Sequence, residues 1–207
     1  MNTEEILNLL KNSSKKTPVK VYLQGKINQI PFSENCIVLK AENGGIIIGD
    51  WEELKDTIHS HPFLIEKLFI ESDRRNSTIG LLELFHQDAR IEPGAIIREG
   101  VTLEKNTVIM MGAIINIGAT IGEETLIDMN AVIGGRANIG KKCHVGAGVV
   151  IKGVISSPHA QPVQIEDEVI IGPNAVIMEG IHIGRGAVIV AGSIVTRNVV
   201  AGEIFSS

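Results

Sequence analysis

A handful of carboxylate and imidazole side chains in this 207-residue chain could take or give a proton. Asp128 stands in "LIDMNA", His144 in "KKCHVG" and Glu179 in "AVIMEG"; His182 follows in "GIHIG", and His159 lies in "SSPHAQPV". No spacing among them amounts to a motif. There is no Ser/His/Asp order, no G-x-S-x-G, and no G-x-G-x-x-G opening a helix. Zinc is the rival chemistry to weigh, but the coils offer only His144 and His182, with His159 on the loop and no closely spaced pair, and Cys36 and Cys143 are poorly spaced for a tetrahedral site. No metal is expected.

What must position these groups is a repeat. An aliphatic residue occurs at every sixth position from Ile91 to Ile151, and again from Ile165 to Val195. Small or branched residues usually stand four places later, as at Ala113, Ala131 and Ala175, with Gly, Asn or Asp commonly between. This rhythm predicts a left-handed parallel β-helix over 91–200. Three hexads make one triangular coil, and each aliphatic side chain stacks on its equivalent one coil away. Gly and Asn suit the corners, where left-handed backbone is needed. Within that frame Asp128 occupies a slot where Gly, Asn or Asp is structurally ordinary, and His144 and His182 share an outward phase. The step from Ile151 to Ile165 is eight residues too long. Its two prolines keep "SSPHAQP" out of a regular coil, so a loop at about 156–163 is expected to project. A loop beside a cleft suits covering a substrate or closing a neighbour's site; an indifferent insertion is the alternative.

Residues 1–90 read as a small α+β domain capping the solenoid. Asn2 and Glu5 make a capping box for a short helix with Ile6, Leu9 and Leu10 on one face. "VKVYL" alternates like a strand, and "CIVLKAENGGIII" carries a hairpin signal around Asn43 and Gly44. The pattern turns helical at "WEELKDTIHSH", halts near Pro62 and continues in "FLIEKLFI"; a second short helix is expected around 79–87. The net charge of -5 and the lack of a Lys/Arg stripe argue against a nucleic-acid partner. No apolar run approaches the ~20 residues of a membrane span, and the start has no signal-peptide character. Two isolated cysteines fit reduced thiols in a cytoplasmic protein.

The segments "KTPVKVY" and "ESDRRNSTIGLLEL", joined to "NTVIMMGAIINIGATIG", "LIDMNAVIGGRANIGKKCHVGAG" and "IEDEVIIGPNAVIMEG", resemble the tetrahydrodipicolinate N-acetyltransferase family of lysine biosynthesis by the diaminopimelate route. The resemblance implies acetyl transfer from acetyl-CoA, a co-substrate rather than a bound cofactor, to the amino group of L-2,3,4,5-tetrahydrodipicolinate. It also implies a homotrimer with clefts between subunits. Asp128 and Glu179 match carboxylates that succinyl-transferring relatives carry in "V-D-T-W-A" and "V-V-E-G" segments, so both become candidates for base and orienter, with His144 a third. Arg136, Arg74, Arg75 and Lys142 are candidates for pairing with the acceptor's carboxylates, and His159 for a polar contact. The corners at Gly146, Gly148 and Gly172 are expected on the coenzyme A side, with backbone N–H groups toward an oxyanion. One departure is visible. The family's solenoid ends in a segment like "VPPNTVVAGVPARVIKEI", whereas this sequence reads "VTRNVVAGEIFSS", which bears on how the pantetheine arm is held. A succinyl donor, another N-acyl acceptor, or a non-catalytic trimeric solenoid are the alternatives.

Overall fold

The computed structural model describes residues 1, 3–155 and 160–207. The expected capping residue Asn2 and the loop histidine His159 lie outside the described residues. The chain divides into two compact units: Ser13–Thr78, and a second formed by Met1–Asn12 with Ile79–Ser207.

In the larger unit, parallel strand pairs two or three residues long form three sheets of five, seven and six strands. Each residue pairs with its equivalent one coil away, as Ile127 does with Ile109 and Val145. This is the three-sided parallel β-helix that the six-residue rhythm predicts. Its axis is filled by the aliphatic columns: Ile109, Ile115, Ile121, Ile127 and Ile133 are fully buried, each contributing about 1.5–3 kcal/mol by leaving water. The corners explain the glycine content. Every sixth residue from Gly94 to Gly148, and again from Glu168 to Gly192, has positive φ. Most of these are Gly or Asn, but Glu124, Arg136, Lys142 and Glu168 adopt the same backbone, at a cost of roughly 1–2 kcal/mol each.

The outward residues give the three faces different characters. One face presents Thr102, Thr120, Asn138, Gln164 and His182 and is polar. The next presents Val108, Leu126, His144, Ile170 and Val188 and is mixed. The third presents Ile96, Ile114, Val132, Val150, Val176 and Ile194, an unbroken β-branched stripe.

Helix α1 (Thr3–Asn12) belongs to this unit: Ile6 is fully buried against Ile79 and Ile117, with Leu9, Leu10 and Ile155 packed around them. Glu4 and Glu5 in its first turn and Lys11 in its last complement the helix dipole. The short helix expected around 79–87 is not formed. The segment is extended there: Leu81 bridges Arg98, and the Leu82 N–H donates to the Ile97 carbonyl at 2.9 Å. Pairing to the first coil satisfies backbone groups that an isolated turn of helix would leave open. Residues 201–207, expected as a tail, continue the coils: Ile204 and Phe205 pair with Val188 and Ile189, and Phe205 is buried.

The smaller unit is an antiparallel sheet made by β1 (Pro18–Gly25), β2 (Ile37–Ala41), β3 (Gly44–Asp50) and β4 (Ile65–Glu71), in the order β2-β3-β1-β4. Helix α2 (Trp51–Ser60) covers one face, burying Leu54 and Ile58 against Val21, Leu23 and Ile47. The expected hairpin is present, with Ala41 opposite Gly44. Asp50 caps α2 by accepting the Glu52 N–H at 3.0 Å. "FLIEKLFI", attached in the sequence to the helical stretch, forms strand β4 instead, because pairing with β1 satisfies its backbone and places Ile70 opposite Val21. No helix is long and apolar enough to cross a membrane among the described residues.

The coils approach so closely at Gly122 that an added Cβ would lie 2.5 Å from the backbone of Gly140. Gly122→Ala is therefore expected to lower stability by about 1–3 kcal/mol through overpacking, and Ile133→Ala by about 2–5 kcal/mol through a core cavity. Ile114→Ala, on the outward stripe, should cost far less to the single chain. Denaturant unfolding monitored by circular dichroism checks the ranking.

Candidate functional site

Asp128 and His144 come together. Asp128 ends a strand of the mixed face and His144 projects from the same face one coil on, since Leu126 pairs with His144. The His144 Nε2 lies 3.7 Å from Asp128 Oδ2, close enough for charge attraction but too long for a hydrogen bond. The other carboxylate oxygen accepts the Met129 N–H at 2.7 Å, which fixes the side chain's direction. Gly146 and Gly172 stack in the column of Asp128, because Ile127, Val145 and Ile171 are paired in register.

Those glycines do not offer an oxyanion hole. The N–H groups of Gly146, Gly148 and Gly172 donate to the carbonyls of Ile171, Met129 and Ile189 at 2.8, 2.9 and 2.8 Å. All three donors are committed to the coil-to-coil ladder. The absence of a side chain has a structural reason too: a Cβ on Gly146 would meet the Ile171 carbonyl at 2.7 Å, and one on Gly172 would meet the Ala191 N at 2.5 Å.

Glu179 lies elsewhere. It follows the strand Val176–Ile177, at the corner between the apolar and polar faces, where the chain also makes its eight-residue excursion. Its carboxylate pairs with Lys152 Nζ at 2.5 Å, and this hydrogen bond holds the carboxyl below its usual range. Arg136 stands at the same corner two coils before Glu179 and one before the excursion, with φ of 65°, and its Nη1 donates to the carbonyls of Val154 and Ala160 at 3.4 Å each. Expected as a substrate contact, Arg136 instead ties the two ends of the excursion together. Gly134 and Gly135 lie beneath it: a Cβ on Gly135 would meet Ile155 at 2.5 Å, and the Val154 N–H donates to the Gly135 carbonyl at 3.1 Å.

Beyond the excursion, the polar face carries a cavity of 530 Å³ lined by Asn138, Gln164, Glu166, His182 and Arg185 among others. His182 Nε2 is 3.0 Å from Glu166 Oε1. A carboxylate only accepts, so Nε2 is the donor in this contact. The sequence reading noted that His182 shares the phase of His144 but missed Glu166. The available signal was register: Gln164 pairs with His182, which puts Glu166 beside the imidazole on the same face. Lys152 was missed likewise, and its pairing follows from Ile151 stacking on Ile177. Lys142 is at the corner between the polar and mixed faces, 3.8 Å from Glu124. Arg74 and Arg75 belong to the smaller unit, where Arg74 pairs with Asp73 at 2.7 Å and both line a 570 Å³ pocket with Trp51 and Thr17. Among the described residues, no three His, Cys, Asp or Glu side chains cluster as a metal site would require.

Residues 1–84 match the family described as "Tetrahydrodipicolinate succinyltransferase N-terminal", and residues 118–153 and 162–197 match "Bacterial transferase hexapeptide (six repeats)". The gap between the two hexapeptide matches falls on the excursion. A 2,3,4,5-tetrahydropyridine-2,6-dicarboxylate N-acetyltransferase from Brevibacillus brevis is 53% identical over 96% of this chain and 84% of its own length. This chain belongs to that N-acetyltransferase family. Proteins with the same name from Alkaliphilus metalliredigens and Staphylococcus aureus are 52% and 49% identical, over 96% and 99% of this chain; they are covered over 84% and 85% of their own lengths. The first family description names a succinyl transfer and the relatives an acetyl transfer. The relatives decide between them, because their identity runs through both units of the chain.

Two outcomes test this geometry. Arg136→Gly removes the excursion's clamp while relieving a left-handed backbone worth roughly 1–2 kcal/mol. Global stability should hold or rise slightly, while hydrogen exchange at the Val154 amide accelerates; amide exchange by mass spectrometry reads both. Lys152→Met removes the leading cause of the depressed Glu179 pKa, so the carboxyl should titrate at higher pH in a ¹³C-NMR titration. The sign follows from linkage: the Lys152–Glu179 pair is present above the carboxyl's unfolded pKa and lost as pH falls through its depressed folded value.

Proposed function

We propose that this chain transfers an acetyl group from acetyl-CoA to the nitrogen of 2,3,4,5-tetrahydropyridine-2,6-dicarboxylate, in lysine biosynthesis. The observation that carries the reading is identity of about half, over nearly the whole chain, to relatives bearing that activity's name. The acceptor is a cyclic imine, and addition of water across C=N makes its nitrogen an amine. That amine attacks the thioester carbonyl, a tetrahedral oxyanion forms, and its collapse expels the coenzyme A thiolate. A base must take the amine proton. Asp128 and Glu179 are the assigned carboxylates, with His144 beside the first.

Asp128 and Glu179 stand at the two corners that flank the apolar face, so one site that uses both is built between two copies. The apolar stripe exposes Ile96, Ile114, Val150 and Ile194 along a row that a soluble monomer rarely leaves open. Turn positions Pro93, Met111, Met129, Ala147, Pro173 and Ala191 at the mixed–apolar corner are uncharged, with Glu92 and Asp128 beside them. Turns at the polar–mixed corner carry Lys105, Glu123, Lys141, Asp167 and Arg185, every one charged. In a homotrimer one face of each copy packs on a different face of the next, a heterologous contact that closes. A site that uses both carboxylates sets the apolar–polar corner of one copy, with Glu179, against the mixed–apolar corner of its neighbour, with Asp128.

The hydrogen bond from His182 to Glu166 favours a second reading of the base, in which His182 takes the amine proton. His144→Asn and His182→Asn separate the two by which one abolishes turnover.

Release of thiol from acetyl-CoA, dependent on the acceptor, tests the activity; release unchanged by omitting the acceptor refutes it. Asp128→Asn and Glu179→Gln should each lower kcat by roughly a hundredfold or more. Equal mixtures of the two variants, unfolded and reassembled together, should regain about a quarter of wild-type activity, the fraction of heterologous interfaces that keep both carboxylates. No recovery would place both residues of each site in one chain.

A further inference from the structure

The smaller unit has an open sheet face that neither α2 nor the reaction uses. On the side opposite α2, directly paired residues form three rows across β2, β3, β1 and β4. The middle row is Leu39, Ile46, Tyr22 and Phe69, with the Tyr22 and Phe69 rings 6.0 Å apart. One flanking row has Ile37 and Ile48 and ends in Lys20 and Glu71; the other has Ala41 and Gly44 and ends in Gln24 and Lys67. Phe69 is 61% exposed, Ile37 59% and Leu39 53%. Such a contiguous apolar patch with a charged rim has the character of a protein contact surface.

We infer that this face docks on the same face of a second copy of the chain, about a two-fold axis that runs across the strands through the middle row. The rows are self-complementary under that operation. The middle row packs on itself, Phe69 meeting Phe69 of the second copy. The flanking rows exchange: Glu71 meets Lys67 of the second copy, and Lys67 meets Glu71 of the second copy. The large Ile37 and Ile48 meet the small Ala41 and Gly44, so volumes match as well as charges. Glu71 accepts a hydrogen bond from the Tyr22 hydroxyl at 3.1 Å; a two-fold axis along the strands instead sets it over Ile37 and gives it no cation from the second copy, which disfavours that axis. The contact is isologous, as two-fold pairs are. The patch spans roughly 19 by 17 Å, from four strands ~4.8 Å apart and five residues at ~3.4 Å each. That is small against the ~800 Å² per partner of a stable pair, so the association is concentration-dependent, and stronger where several chains already stand together.

Sedimentation equilibrium of the full chain over a wide concentration range tests the pairing, and it does so independently of any enzymatic activity. The wild type should approach twice the mass of the Leu39→Lys/Phe69→Lys variant, with both showing the same far-UV circular dichroism and melting. Glu71→Lys alone and Lys67→Glu alone should each shift the association to higher concentration, and the two together should restore it. The same mass for wild type and Leu39→Lys/Phe69→Lys at every concentration would overturn the pairing. Loss of pairing in that variant, with neither charge change having an effect or the exchange failing to restore it, would overturn the two-fold arrangement.

Discussion

A side chain that must stack on its own equivalent, coil after coil, is the constraint from which the larger unit follows. Stacking demands identical spacing, and identical spacing demands a corner of the same shape every sixth residue. The corner in turn demands left-handed backbone, which glycine and asparagine adopt at least cost. Aliphatic residues at one phase and small flexible ones at another are two outcomes of one geometric rule. The buried core of the coils is then free of aromatic residues apart from Phe205, among the described residues, because it is a column rather than a cavity to be filled.

The same rule makes its exceptions meaningful. Arg136 accepts a backbone that costs a side-chain-bearing residue energy, and it does so where its guanidinium holds both ends of the excursion. Lys142 and Glu124 accept the same backbone and pair with each other at 3.8 Å, a surface contact worth little by itself. Strain alone does not mark a functional residue; strain together with a specific, irreplaceable contact does. On that measure Arg136 is a positioning residue for the excursion.

The solenoid was legible in the sequence because its signal repeats; the excursion was legible because it broke the repeat. Segments without repetition were read less well. The stretch from Ile79 to Gln87 has helical spacing, yet its backbone is satisfied by the first coil, and "FLIEKLFI" carries no clean alternation because β4 lies at a sheet edge. The closing residues escaped because Val199, which bridges Ile183, comes four positions after Val195 rather than six, and Phe205 follows six later on Ile189. Asp128 and Glu179 were found by resemblance. Their separation on two corners, and the pairing of His182 with Glu166, required folding the hexads into faces. Counting by eighteen as well as by six recovers most of that information.

The three faces differ in their outward residues but share one inward column, and this has a consequence for how such a chain can change. Gain or loss of one hexad leaves every inward aliphatic in place, so the single chain still folds. Yet all later coils rotate by a third of a turn: the polar face falls in line with the apolar stripe, and each corner residue moves to a neighbouring edge. Only whole coils of eighteen residues, or loops that leave and return on the correct face, preserve both fold and surface. The excursion between Ile151 and Ile165 is of the second kind. Length variation in this architecture is therefore filtered by association and catalysis rather than by folding, the reverse of what holds for an ordinary globular core.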